Sequence, residues 1–204
     1  MPDFQKIMFR RFLWTTAVEL LVLLGAALLA RFYGYLLFHS TIELFSVLVA
    51  CAIFAIAWNC RFFMENRYLL FVGIGFLFVG FLDLLHALAY KGMGVFEGQR
   101  PDLSIQLWIV SRAMQALTLL IALLFAKRKW KPSVVMAAYG TATALFCYLI
   151  FSGHFPVCYV EDASGSGMLT TFKIISEVVI CFVLASAMAL IYQRRADFDP
   201  MVLN

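Results

Sequence analysis

Residues 68–90 read YLLFVGIGFLFVGFLDLLHALAY, and Asp83 and His86 are the only acidic or basic side chains in this run. An α-helix rises about 1.5 Å per residue, so roughly 20 apolar residues cross the ~30 Å hydrocarbon core of a bilayer. The stretch therefore predicts a membrane-spanning helix that carries a carboxylate and an imidazole near one end.

The rest of the chain repeats this pattern. Of its 204 residues, 64% are hydrophobic, and the mean hydropathy is +0.91, whereas soluble domains are about 45–50% apolar. The sequence predicts an all-α fold, a polytopic transmembrane bundle forming one integral-membrane domain over residues 1–204. Six helices are expected, at about 12–33, 35–58, 68–90, 103–126, 133–152 and 169–193.

The end of the chain predicts the start of a further helix near 199–204. Asp199 followed by Pro200 is typical of a helix N-cap and first helical position, and apolar residues come next. We therefore expect the six helices to belong to a larger, truncated bundle.

The basic residues of the short connecting segments predict the orientation. One side of the membrane would carry Lys6, Arg10, Arg11, Arg61, Arg67, Lys127, Arg128, Lys129, Lys131, Arg194 and Arg195, and the other only Arg31, Lys91 and Arg100. Because cytoplasmic loops are enriched in Lys and Arg, both ends of this chain are expected in the cytoplasm. The segment Gly153–Gly167 then lies outside.

Ionisable residues inside the predicted helices come in pairs that share a helix face. His39 and Glu43 are four apart, Asp83 and His86 three apart, and Lys173 and Glu177 four apart. With the orientation above, all of these residues and Arg112 fall in the outer half of the bundle, and Glu19 of the first helix is the exception in the inner half. A charge at the bilayer centre costs ~3 kcal/mol even on the lenient insertion scale.

Two interpretations of these residues remain open. They could be interhelical ion pairs and hydrogen bonds that only fix packing, or they could form a site for an external ligand, ion or proton. Because several such groups share one depth, we favour a ligand-binding site made of His39, Glu43, Asp83, His86, Arg112, Lys173 and Glu177.

Two imidazoles and two carboxylates also suit a transition metal, so His39, Glu43, Asp83 and His86 are candidate metal ligands. A pair of histidines could instead ligate a haem, and the cofactor is left open. A small transporter or channel, or a haem- or metal-binding redox protein of the membrane, are the alternative functions. The sequence has no phosphate loop, catalytic triad or CxxC motif, and we expect neither catalysis within the chain nor binding of nucleic acid.

Several motifs resemble a known family. Residues 38–46 (FHSTIELFS), 78–96 (FVGFLDLLHALAYKGMGVF), 106–112 (QLWIVSR), 158–161 (CYVE) and 171–177 (TFKIISE) are similar to those of the bacterial membrane-associated sensor domain called MASE3. The resemblance runs from about residue 35 to the end.

The resemblance implies a sensory input domain of the bacterial inner membrane. Such domains precede histidine kinases, diguanylate cyclases or phosphodiesterases, which act in two-component and cyclic di-GMP signalling. The expected partners are therefore the lipid bilayer and a cytoplasmic output domain in cis, with a homodimer as one oligomeric state left open.

Overall fold

The structure is a computed structural model that describes residues 2–63, 67–96, 100, 102–161 and 167–194, and within the first helix the side chains at 14, 17, 18, 20–26 and 28–33. In this part of the chain the elements are α1 (Pro2–Tyr33), α2 (Tyr35–Cys60), α3 (Tyr68–Leu88), α4 (Leu103–Phe125), α5 (Pro132–Phe151), β1 (Tyr159–Glu161), β2 (Gly167–Leu169) and α6 (Thr171–Gln193). The all-α fold is confirmed. The predicted helix near 199–204 lies outside the described residues.

Helices α2 to α6 are each long and apolar enough to cross a membrane, and their bounds lie within two residues of the predicted windows. The expected start of α1 at about residue 12 is wrong, because the helix begins at Pro2. Proline is favoured at the first helical turn, and helical hydrogen bonding does not stop where the apolar run stops. The apolar part found within α1 is Leu20–Tyr33.

The chain divides into two compact units, Met1–Glu43 and Leu44–Asn204. In the first unit, Gly34 separates α1 from α2 with a φ of +153°, a conformation that residues with a Cβ rarely adopt. The Arg31 guanidinium lies 5.9 Å from the centre of the Tyr35 ring across this break.

In the second unit, α3 and α4 carry most of the buried residues, and α4 packs against α3, α5 and α6. One apolar cluster joins the start of α3 to the end of α4, and it contains Tyr68, Phe71, Val72, Ala122, Leu123 and Ala126. A second cluster, around Leu82 and Leu107, joins the other ends of the same helices.

Glycines in α3 let its neighbours approach closely. A Cβ added to Gly73 would overlap Ala57 of α2, and one added to Gly80 would lie 3.0 Å from the Ala50 Cβ. On another face, a Cβ at Gly75 would overlap Thr118 of α4. Small residues at helix crossings are typical of membrane bundles, and here they set α3 against both α2 and α4.

The segment between α5 and α6, which the sequence predicts only as a loop, contains a short hairpin. Strands β1 and β2 pair antiparallel, with Tyr159 opposite Leu169 and Glu161 opposite Gly167. The Lys91 Nζ lies 3.2 Å from a Glu161 carboxylate oxygen, which connects the hairpin to the segment after α3.

Candidate functional site

The most deeply buried charge of the described residues lies between α3 and α4. Asp83, of which 1% is exposed, forms an ion pair with Arg112, whose Nη2 lies 3.1 Å from each carboxylate oxygen. The Ser111 hydroxyl donates a hydrogen bond to Oδ1 at 2.5 Å, and the Ser46 hydroxyl of α2 donates to Oδ2 at 3.4 Å. Three donors from two helices therefore compensate the carboxylate for its loss of water.

The close packing of α3 places these groups together. Ser46 lies one turn from Ala50, and Asp83 lies one turn from Gly80, so the α2–α3 crossing at Ala50 and Gly80 brings hydroxyl and carboxylate within reach. The glycine contact between α3 and α4 brings Ser111 to Asp83 in the same way, about two turns along each helix.

A second ion pair lies on α6. The Lys173 Nζ is 2.8 Å from a Glu177 carboxylate oxygen, an i,i+4 pair as the sequence predicts. The position of Lys173 is fixed by the start of the helix, where its backbone N–H donates to the N-cap hydroxyl of Thr170 at 3.3 Å. The Lys173 side chain is 13% exposed and that of Glu177 34% exposed, so the pair is largely withdrawn from solvent.

The indole of Trp108 on α4 connects the two ion pairs. The centre of its ring lies 6.0 Å from the Arg112 Cζ and 5.9 Å from the Lys173 Nζ. Cations at this distance from an aromatic ring are attracted to its π-electrons. Asp83, Arg112, Lys173 and Glu177 therefore form one polar network, together with Trp108, which was not among the predicted site residues.

His86 lies one turn beyond Asp83 on α3 and is 5% exposed. Its Nδ1 is 2.8 Å from the Ser104 carbonyl oxygen of α4, which can only accept a hydrogen bond. Nδ1 therefore donates to this carbonyl, and the Ser104 hydroxyl lies 3.0 Å from the same nitrogen. A backbone carbonyl that orients a histidine in this manner is a common feature of metal-binding histidines.

His39 and Glu43 belong to the first unit. Both are half-buried, and the Tyr35 ring stacks on His39 with centroids 6.1 Å apart. They share one face of α2 by the helical repeat. Their participation in one site with Asp83 and His86 stays a prediction.

A third buried polar group, which sequence reasoning missed, lies at the start of α4. Asp102, 4% exposed, accepts hydrogen bonds from the Cys158 backbone N–H at 2.9 Å and from the Gln106 amide at 2.7 Å. Gln106 also donates to the Pro156 carbonyl at 3.1 Å. These contacts attach the segment before β1 to α4. The only sequence signal was an acidic residue at a helix start with an amide four residues later.

Burial changes the acidity of this group and of its neighbour. Loss of water raises the pKa of Asp102, against the hydrogen bonds from the Cys158 and Tyr159 backbone N–H groups and the positive charge of Arg100, which lower it. Burial, and then the nearby Asp102 charge, raises the pKa of the Cys158 thiol to about 12, while Lys173 opposes the change. Cys158 is therefore a thiol at neutral pH, and Lys173 is the cation of the polar network that acts on it.

A family model described as a membrane-associated sensor domain matches residues 30–204. No curated protein and no solved structure matches the chain. The matched range contains every predicted site residue.

Proposed function

The chain belongs to the MASE3 family of membrane-associated sensor domains, and we propose that it receives a signal at its polar network and transmits it to a cytoplasmic output region. The output kinase or cyclase would lie outside these residues, since the matched family is a sensor domain and not a catalytic one. We further propose a bacterial inner membrane location with both ends in the cytoplasm, as the distribution of Lys and Arg favours.

The observation that carries the proposal is the sharing of Trp108 by two ion pairs. Asp83 and Arg112 join α3 to α4, while Lys173 and Glu177 lie on α6, and the two cations contact the same ring. A ligand, proton or cation that pairs with one of these groups changes the partners left for the others. Because the groups lie on different helices, two pairings correspond to two helix packings, and a signal that binds them unequally shifts the population.

The apolar packing at the other end of α3 and α4 favours a sensor over a channel. There the two helices are joined by the cluster around Phe71 and Ala122, whose buried members carry no polar side-chain atom except the Tyr68 hydroxyl, with Trp130 and Tyr139 packed against it. A transport path would need polar groups or a water-filled cavity at this level. Within the described residues the polar network thus ends on an apolar core.

The signal at this site is proposed to be a small ligand, a proton, or a metal or haem. The predicted metal set of His39, Glu43, Asp83 and His86 is supported by the Ser104 carbonyl that orients the His86 ring through Nδ1, an arrangement that suits ligation through Nε2. Asp83 fits less well, because a metal would compete with Arg112 and Ser111 for its oxygens. If these residues bind metal, His39→Ala and His86→Ala each abolish stoichiometric zinc or copper in elemental analysis, and His154→Ala does not.

The sensing role is tested in a fusion of the chain to a cytoplasmic kinase reporter. We expect Arg112→Gln to change the basal reporter activity per folded protein, with the amount of folded protein measured separately, because it removes the charge that distinguishes the two pairings. The matched control is His154→Gln, since His154 is exposed and contacts the Ser152 hydroxyl at 2.9 Å. Wild-type activity of a folded Arg112→Gln protein would leave the network as structural packing.

The proposed orientation has its own test. A reporter fused after Arg195 should be cytoplasmic, and an epitope inserted at Ser164 should be accessible from outside. An external carboxyl end would contradict the orientation and the outer position of the network together.

A further inference from the structure

An apolar cleft of about 660 Å³ runs along α4 with α5 and α6 at its sides. Helix α4 contributes Ile109, Ala113, Leu117 and Ile121 to its floor. Among the lining residues, Tyr139 and Ser176 alone carry hydroxyl groups, and the Tyr139 hydroxyl lies 2.7 Å from that of Thr118. The size falls within the roughly 300–1,000 Å³ of ligand pockets, and the lining suits a hydrocarbon.

The cleft opens sideways, where a bilayer would supply such a hydrocarbon. Its lining side chains Leu117, Ile175 and Val179 are 48%, 57% and 54% exposed, and the three helices are membrane-spanning by length and composition. If the cleft were empty, these side chains would lack dispersion contacts on one side. An acyl chain entering between α5 and α6 would restore them.

Positive charge lies at one end of the cleft. The segment between α4 and α5 carries Lys127, Arg128, Lys129 and Lys131, all exposed. The last lining residue of α4, Ile121, precedes Lys127 by six positions, about 9 Å along a helix. Trp130 of this basic segment contacts the cleft directly, because its ring lies 5.7 Å edge-on from the ring of the lining residue Phe71. An apolar cleft that leads to clustered cations matches an acyl chain with an anionic headgroup.

We propose that this cleft binds one acyl chain of an anionic phospholipid, with the phosphate at the basic segment Lys127–Lys131. Basic segments next to membrane helices attract anionic lipids, and the cleft adds a place for one particular lipid. The proposal goes beyond the sensing role, because the cleft is separate from the polar network. The lining residue Ile109 comes one position after Trp108 of the network, and the lining residue Ala113 comes one position after Arg112. The cleft and the network thus lie on different faces of α4.

The test is native mass spectrometry of the full chain released from nanodiscs that contain equal amounts of phosphatidylglycerol and phosphatidylcholine. We expect one lipid retained per chain, with a roughly tenfold preference for phosphatidylglycerol, as several cations near a headgroup imply. Ala142→Phe, which fills the cleft, should abolish retention. The matched control is Ala144→Phe, which adds the same ring to α5. Ala144 lines a separate cavity of about 500 Å³, together with Phe78 and Cys147, so this variant should retain the lipid.

The basic segment is tested by substitutions that leave the core unchanged. Arg128→Gln, Lys129→Gln and Lys131→Gln together should keep lipid retention but reduce the preference for phosphatidylglycerol towards parity. If Ala142→Phe fails to fold, the smaller Ala142→Leu replaces it. Equal retention of the two lipids by the wild type, or full retention in a folded Ala142 variant, would overturn the proposal.

Discussion

Removal of either partner of the Asp83–Arg112 ion pair should destabilise the protein strongly. Asp83 is 1% exposed and Arg112 22%, and loss of one partner of a buried pair costs about 3–5 kcal/mol because the other charge is left uncompensated. Asp83→Asn keeps the shape, but its amide group opposes the Arg112 guanidinium with a second donor. Arg112→Met keeps much of the side-chain volume and leaves the carboxylate with the hydroxyls of Ser111 and Ser46.

The double variant should cost much less than the two single variants combined. With both charges gone, no buried charge lacks a partner, and the amide oxygen at position 83 can still accept from the Ser111 and Ser46 hydroxyls. If each single substitution costs about 3 kcal/mol and the double no more than about 3 kcal/mol, the coupling free energy is at least about 3 kcal/mol, within the range for close charge pairs.

The assay is the free energy of unfolding of the purified protein, measured by steric trapping in lipid bicelles for the wild type and the three variants. The matched control cycle uses Lys91→Gln and Glu161→Gln, because Lys91 is 80% exposed and such a pair should couple by less than about 1 kcal/mol. Costs of Asp83→Asn and Arg112→Met that add to within about 0.5 kcal/mol in the double variant would refute the ion pair as a coupled unit.

Three further predictions follow from other parts of the structure. Gly73→Ala should destabilise the bundle by about 1–2 kcal/mol, because the added methyl overlaps Ala57. The control Gly140→Ala should not destabilise it, because the added Cβ would lie 3.6 Å from the Phe78 ring. Equal unfolding free energies for the two variants would contradict close α2–α3 packing. The pKa of Asp102 in the folded protein is raised above 3.8. The wild type should therefore lose stability relative to Asp102→Asn as pH rises from about 4 through the raised pKa, and the difference should then stay constant. A difference between the two unfolding free energies that does not change with pH would contradict this. A variant whose single cysteine is Cys158 should react with maleimide only after unfolding, because the thiol is buried and its pKa is about 12. A variant whose single cysteine is the exposed Cys60 should react in the folded state.

Hydropathy was sufficient to predict the helices, because burial in lipid requires an apolar run of fixed length whatever the tertiary contacts. It could not predict the start of α1 at Pro2, since a helix continues beyond the membrane wherever its backbone can form hydrogen bonds. It also gave no sign of the hairpin at Tyr159 and Leu169, whose strands are too short for a periodic pattern. The predicted number of six membrane spans is supported for α2 to α6.

The polar side chains were predicted better than their partners. Asp83 and His86 were predicted to share a helix face and to belong to one site with Arg112; in the structure Asp83 pairs with Arg112, and His86 contacts the Ser104 carbonyl. Spacing along one helix shows which residues share a face, but the partner depends on the rotation and axial position of the neighbouring helix. The contact of Lys173 with Glu177 could be predicted from their spacing because it is internal to α6, whereas their role in a site stays a prediction.

Helix α4 connects the features that bear on function. One face carries Trp108 and Arg112 of the polar network, and the adjacent face carries Ile109 and Ala113 of the cleft. Helix α4 also packs on α6 through the apolar cluster that contains Ile109, Ala116 and Ile180. Since packed interfaces change between discrete arrangements and do not deform continuously, a signal that changes the pairing of Arg112 would also change the fit of α6 along the cleft. An acyl chain in the cleft that fits one arrangement better would then bias the response, and by linkage the signal would alter the affinity for the lipid by the same factor.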